Sequence, residues 1–173
     1  MDIWLITDTH FGHEAMLSYC GRPEGFENII LKNMSTLTKN DILIHLGDFC
    51  IGDDSKWHTE FMNASSCIKW LVKGNHDNKS NSWYMNHGWD FVGEYISDMY
   101  FGKKILFSHM PQYYREGDNN ETLYDVNIHG HFHNTAHRST QKEMEARRDY
   151  RQKLLAIEYI DYKPILLKNF LGV

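Results

Sequence analysis

The sequence is poor in the features that mark secreted and membrane proteins. Its cysteines number three and fall in no C-x-x-C pattern, so Cys20, Cys50 and Cys67 predict neither a disulfide framework nor a structural zinc site. No apolar run approaches the length that spans a bilayer. A signal peptide is not evident either, because a strand-like run begins already at Ile3. We therefore expect a protein of the cytoplasm, or of the host cytoplasm if a phage encodes it, with no membrane partner.

An excess of positive charge is missing as well. The formal net charge is −5, whereas general nucleic-acid binding depends on many Lys and Arg side chains that neutralise phosphates. Stable nucleic-acid binding is therefore not expected. The segment 138–153 carries a local excess of basic residues, which is typical of a solvated face but could also attract a phosphate substrate.

The remaining composition is that of an ordinary globular protein. With 173 residues, 42% of them hydrophobic and 24% charged, the chain predicts a single domain over residues 1–173. Its oligomeric state, monomer or homodimer, is left open. Apolar spacing and turn residues predict helices within 26–37, 57–62 and 79–88, strands at 91–96, 99–101, 154–160 and 164–167, a loop at 110–122 and a partly helical segment at 138–153.

The most informative stretch is an apolar run that ends abruptly in polar side chains. Residues 68–72 have the Ile, Trp, Leu and Val content of an interior strand, and Gly74 permits a sharp turn soon after it. Asn75, His76 and Asp77 follow directly. Taken alone, Gly-Asn-His-Asp would be an ordinary polar turn.

Four further apolar runs, at 3–7, 42–46, 104–107 and 126–128, end in the same way. The polar residues that follow them are Asp8 and His10, Asp48, His109, and His131 and His133. Any one of these could be a turn or capping residue. Because ligands in layered α/β proteins gather where several strands end on the same side of a sheet, we expect the five strand ends to converge.

The residue types at these ends indicate metal chemistry. Carboxylate, amide and imidazole groups suit first-row divalent ions such as Mn²⁺, with Fe, Ni or Zn as alternatives, and the absence of thiolates argues against structural zinc. The candidate ligands number seven, which is too many for one ion but enough for two ions that share a carboxylate. They are Asp8, His10, Asp48, Asn75, His109, His131 and His133. Asp48, alone on its strand, is the natural bridge. Paired metals activate water and clamp phosphoryl oxygens, so the set predicts phosphate-ester hydrolysis.

This series of residues resembles the five-block signature of the calcineurin-like metallophosphoesterase superfamily. The blocks are Asp8-Thr9-His10, Gly47-Asp48, Gly74-Asn75-His76-Asp77, His109 and Gly130-His131-Phe132-His133. The Asp-Thr-His-Phe-Gly-His opening, the Arg22-Pro23 turn and Tyr162-Lys163-Pro164 also resemble a subgroup of small bacterial and phage phosphoesterases. The resemblance implies an α/β (α+β) fold, a four-layer β-sandwich flanked by helices, with a dinuclear site at its strand ends.

The resemblance also implies a role for each matching residue. One metal would be held by Asp8, His10, Asp48 and His133, and the other by Asp48, Asn75, His109 and His131. His76 would stay unligated, contact the phosphate and protonate the leaving oxygen, and it would form the catalytic set with Asp48 and Asn75.

Neighbouring polar residues leave alternatives open. His13 and Arg22 could reach substrate oxygens, but a surface histidine and a turn arginine explain them equally well. Asp77 could orient His76 or cap the following turn, and the cap is preferred. His129 precedes the block glycine and is expected to point away from the site.

Departures from related patterns narrow the predicted function. The Gly47-Asp48 block lacks the acidic residue and arginine that protein serine/threonine phosphatases carry, and Ile51 stands where purple acid phosphatases have a metal-binding tyrosine. The sequence therefore favours a phosphodiesterase for a small phosphodiester or nucleotide, cyclic or linear. The alternatives are a phosphomonoesterase and a non-catalytic metal-binding scaffold, and the intact ligands and His76 argue against the scaffold.

Overall fold

The computed structural model describes residues 1–112, 124–134 and 150–173. The strands of these residues are β1 Ile3–Ile6, β2 Ile42–His45, β3 Ile68–Val72, β4 Phe91–Gly93, β5 Tyr95–Tyr100, β6 Lys103–Ser108, β7 Val126–His129, β8 Gln152–Leu154 and β9 Ile165–Leu166. The helices are α1 Met16–Tyr19, α2 Phe26–Met34, α3 Asp54–Ala64, α4 Asn81–Asn86 and α5 Leu167–Leu171, with a 3-10 helix at Ile157–Ile160. None of these helices combines the length and apolar character needed to cross a lipid bilayer.

The strands form two mixed sheets that pack face to face. The first sheet has the order β4-β3-β2-β1-β9, and all its neighbours are parallel except the pair β1 and β9. The second has the order β5-β6-β7-β8, with β5 antiparallel to β6. In β2, Leu43 packs on the helix side while Ile42 and Ile44 pack between the sheets, so both faces are buried. This double burial explains why the strand is an unbroken apolar run.

Helices cover the outer face of the first sheet because each has one apolar face. In α2, Phe26, Ile30 and Met34 recur every fourth residue and are buried. In α3, the Asp53 side chain caps the helix by accepting a hydrogen bond from the Lys56 amide, and Phe61 is buried. The predicted α/β sandwich flanked by helices is confirmed, and the described residues supply its helix layer and both sheets.

Several predicted elements differ from the structure in their detail. Residues 91–96, expected as one strand, divide at Glu94 into β4 of the first sheet and β5 of the second. The strand predicted at 154–160 is wrong: β8 ends at Leu154, and Ile157 begins a 3-10 helix. Apolar spacing reports burial, and a buried turn and a short buried strand look alike by that criterion. The predictions for 113–122 and 138–149 lie outside the described residues.

The strand registers bring the predicted polar ends together. Ile6 lies opposite His45, and His45 lies opposite Leu71, so the carboxyl ends of β1, β2 and β3 are level. In the second sheet, Ser108 lies opposite His129, which aligns the ends of β6 and β7 in the same way. Both sheets therefore deliver polar side chains to one edge of the sandwich.

Candidate metal centre

Two groups of potential metal ligands meet at this edge. Asp8, His10 and His133 form one group, and Asp48, His109 and His131 form the other, with the ligand atoms of each group within 4.8 Å of one another. Each group combines residues that follow strands of the first sheet with residues that follow strands of the second.

Asp48 lies between the two groups. Its Oδ2 is 3.2 Å from His109 Nε2 and 3.7 Å from His10 Nε2. Asn75 completes the second group, since its Oδ1 lies 3.1 Å from His109 Nε2. The seven side chains predicted as metal ligands are thus brought together, with the Asp48 carboxylate between the two groups.

The backbone at these residues is held in an unusual conformation. Five of the seven candidate ligands have positive φ, between 46° and 73°, namely Asp8, His10, Asp48, His131 and His133. Asp and His adopt this left-handed region more readily than most residues, but each instance costs roughly 1 to 3 kcal/mol. Such strain persists where the surrounding structure imposes it, and it concentrates at functional sites.

Two glycines allow the ligand loops to approach closely. A Cβ on Gly74 would collide with the carboxylate and the backbone amide of Asp48. A Cβ on Gly130 would collide with the carboxylate of Asp8 and the hydroxyl of Thr7. Both glycines therefore stand where a larger residue would displace a candidate ligand.

Asp77 clamps the loops after β2 and β3. Its buried carboxylate accepts hydrogen bonds from the amides of Asp48 at 2.8 Å, Phe49 at 3.1 Å and Gly74 at 2.7 Å. Burial raises the pKa of Asp77 to about 6, although the amide bonds oppose the rise. These amides precede Asp77 in the sequence, so its carboxylate joins two loops and does not make the predicted cap of the following turn through these bonds.

His109 shows why a cation fits the second group. Its Nδ1 donates to the Leu46 carbonyl at 2.8 Å, so in the neutral ring the Nε2 lone pair faces the oxygens of Asp48 and Asn75. In the metal-free chain a proton fills this role: burial would lower the pKa of His109, but the carboxylates of Asp48 and Asp8 raise it to about 9. A divalent cation would replace that proton.

The surroundings of His10 suit a metal ion in the first group as well. Its side chain is almost completely buried, and within the described part of the chain neither ring nitrogen has a hydrogen-bond partner. Burial holds the pKa of His10 well below its usual value, despite the nearby charge of Asp48. A buried, neutral imidazole without hydrogen bonds is a suitable metal ligand.

His76 and His13 lie beside the two ligand groups. The His76 side chain is 44% exposed, and its Nε2 is 3.9 Å from Asp48 Oδ2. The His13 ring centroid lies 5.6 Å from that of His10. His129, by contrast, is buried and its Nδ1 contacts the Gly130 carbonyl, as expected for a side chain that points away.

Arg22 does not occupy the predicted place. Its side chain is fully buried, and its guanidinium donates to the carbonyls of Thr9 at 2.8 Å and Asp8 at 2.7 Å and to the carboxylate of Glu158. Because these donors are used within the fold, Arg22 is a structural residue and not a substrate ligand. Glu158 is a site residue that the sequence did not reveal, since it lies in a run predicted as a strand, outside every motif.

The comparisons with known proteins agree with this geometry. An uncharacterized protein of Methanocaldococcus jannaschii is 27% identical over 95% of this chain and 86% of its own. A crystal structure of a protein of unknown function from Aquifex aeolicus has 27% identity and a TM-score of 0.74, and the match covers 99% of this chain and 98% of that one. The model of the calcineurin-like phosphoesterase family matches residues 1–161. The chain therefore belongs to the calcineurin-like phosphoesterase family.

Proposed function

We propose that the protein is a metal-dependent phosphodiesterase that hydrolyses a small phosphodiester or nucleotide, cyclic or linear. The observation that carries the proposal is the pair of ligand groups that share Asp48, with an exposed histidine, His76, beside the shared carboxylate. A degenerate scaffold would have no need to keep both ligand groups and the free histidine.

The ligand groups divide between two ions. Asp8, His10, Asp48 and His133 would hold one, and Asp48, Asn75, His109 and His131 the other. Two such ions would supply a water of lowered pKa and would polarise the phosphoryl oxygens. The chain's own contribution is to hold the shared carboxylate in place: Asp48 Oδ1 accepts a 2.9 Å hydrogen bond from the His76 amide, which leaves Oδ2 directed at both groups.

His76 is placed to handle the proton of the leaving group. Its ring is exposed next to Asp48 and lies in neither ligand group, so its imidazole is free to meet the substrate. Imidazole gains and loses a proton near neutral pH, as a general acid for the leaving oxygen requires. His13, close to His10, would contact a phosphate oxygen from the other side.

A cavity beside the centre favours a diester over a monoester. It has a volume of about 320 Å³, within the range of small-molecule sites, and it opens next to Asn75 and His109. Lys73, Tyr95 and Gln112 also line it. Glu94 lines it as well, with its carboxylate 3.9 Å from Lys73 Nζ. A diester carries a second organic group, and this cavity offers that group a place beside one aromatic ring and the Lys73–Glu94 ion pair.

The test is hydrolysis by metal-stripped protein before and after addition of Mn²⁺. Bis(p-nitrophenyl) phosphate and p-nitrophenyl phosphate are compared side by side, and we expect activity that depends on metal and favours the diester. Preference for the monoester would replace the proposal by a phosphomonoesterase. Two bound metals with no hydrolysis of either ester or of a panel of cyclic and linear nucleotides would favour a binding scaffold.

A further inference from the structure

A buried ion pair lies directly behind one of the two ligand groups. The carboxylate of Glu158 and the guanidinium of Arg22 are both almost completely buried, and Glu158 Oε1 accepts from Arg22 Nε at 3.0 Å and from Nη2 at 2.8 Å. The same oxygen lies 3.1 Å from His133 Nδ1. Neither Arg22 nor Glu158 belongs to the ligand set described above.

We infer that Glu158, held by Arg22, positions His133 and sets the affinity of one metal ion independently of the other. The inference rests on the dinuclear function proposed above and assigns two further residues to it. Both act through His133 and are positioning residues, since neither faces the reacting atoms.

The contact with Glu158 determines which nitrogen of His133 faces the centre. An ionised carboxylate only accepts hydrogen bonds, so the shared oxygen requires a proton on His133 Nδ1. The lone pair of Nε2 is then directed toward Asp8 Oδ1, 3.7 Å away. A carboxylate behind a ligating histidine fixes its tautomer and orientation and increases its basicity.

Arg22 extends this contact to the other ligands of the same group. Its Nη1 and Nη2 donate to the carbonyls of Thr9 and Asp8, within the loop that carries His10. One guanidinium thus joins the loop after β1 to Glu158 and, through it, to His133 after β7. Arg22 also supplies the positive charge that the buried Glu158 carboxylate needs, which argues against a separate metal ion at the nearby Cys20, His133 and Glu158.

The second ligand group is oriented differently. His109 Nδ1 donates to the backbone carbonyl of Leu46 at 2.8 Å, a contact that involves neither Arg22 nor Glu158. A change at Glu158 should therefore weaken binding of the ion at Asp8, His10 and His133. Binding of the other ion, at His109 and His131, should stay unchanged. This asymmetry separates a positioning role from general support of the fold.

The experiment is a calorimetric titration of metal-stripped protein with Mn²⁺. Wild-type protein should show two binding events, and Glu158→Gln should weaken one of them about 10- to 100-fold without changing the other. Asp161→Asn is the matched control, because it removes the same charge from an exposed side chain of the adjoining segment, paired with Lys163 at 3.3 Å. The control should bind both ions as the wild type does.

A second variant guards against misfolding. Glu158→Gln leaves Arg22 buried without a charged partner and could therefore impair folding. Glu158→Asp keeps the charge but withdraws the carboxylate from His133 by one methylene. Selective weakening of one binding event in the folded Glu158→Asp protein would support the inference equally. Equal weakening of both events, or no weakening in either folded variant, would overturn it. Absence of metal binding by the wild type would instead overturn the proposed function.

Discussion

Replacement of Gly74 by alanine tests how tightly the shared carboxylate is confined. A Cβ at this position would meet the carboxylate and the amide of Asp48, and it would come more than about 1 Å nearer than the 3.4 Å at which ordinary contact begins. The backbone at Gly74 does not have positive φ, so backbone strain adds nothing to the steric effect of Gly74→Ala in the folded protein. The Asp48 carboxylate or the loop that carries it must therefore move by about this amount.

Such a movement is large on the scale of metal coordination. Ligand distances hold to about 0.2 Å, so displacement of the shared Asp48 should weaken both ions. A misplacement of about 1 Å near a reacting centre costs about 10²-fold in rate, and overpacking of a core costs about 1 to 3 kcal/mol. We expect Gly74→Ala to lower metal-dependent hydrolysis at least about 10²-fold. We also expect it to lower the free energy of unfolding by about 1 to 3 kcal/mol.

The assay combines hydrolysis of bis(p-nitrophenyl) phosphate, metal titration and denaturant unfolding. Gly93→Ala is the matched control, since Gly93 also lacks positive φ and the atoms nearest to its Cβ would be the half-exposed ring of Phe91 and the carbonyl of Tyr95, at 3.1 Å or more. The control should lose less than about 1 kcal/mol and keep its activity. A Gly74→Ala protein with two tightly bound ions and normal turnover would refute the steric argument.

Further predictions concern the roles of single side chains. His76→Ala should keep both metals but lose about 10²- to 10⁴-fold in kcat, measured with a diester substrate, and unchanged turnover would remove His76 from the mechanism. Asp48→Asn should weaken both binding events in a metal titration, whereas loss of only one would contradict its bridging position. In metal-free protein the pKa of His109 is raised to about 9, so protonated His109 stabilises the fold fully below about pH 6.5, and this stability is lost as the pH rises through 9. The Tm of metal-free protein should therefore fall between pH 6.5 and 9, and added Mn²⁺ should reduce the fall. Lys73→Ala should raise KM for nucleotide substrates with little change in kcat, and an unchanged KM would exclude the cavity from substrate binding.

The sequence was most informative where a residue that can bind a metal comes directly after an apolar strand. Asp48 and His109 were found because each follows an apolar run, and a parallel sheet places such ends together. His45, inside its apolar run and not at its end, is fully buried between Thr9 and the Gly47 amide. Periodicity and spacing carry this information directly.

Contacts between residues distant in sequence were not accessible in this way. Arg22 and Glu158 are 136 positions apart, and nothing in either local segment indicates that the two would be buried as a pair. The short helix α1 was also missed, since four residues are too few for helical periodicity to show. The two alternatives for Arg22, a turn residue or a substrate ligand, could therefore be judged only when the tertiary structure showed where its donors go.

The division of each ligand group between the two sheets has a consequence for the order of folding. The first sheet provides Asp8, His10, Asp48 and Asn75, and the second provides His109, His131 and His133, so neither sheet holds a complete site by itself. A growing chain must extend past His131 before one ion has its full set of ligands, and past His133 before the other has. Metal uptake by these residues would therefore report that the two sheets have closed on each other, and the bound ions would join them afterwards as cross-links that a partly synthesised chain lacks.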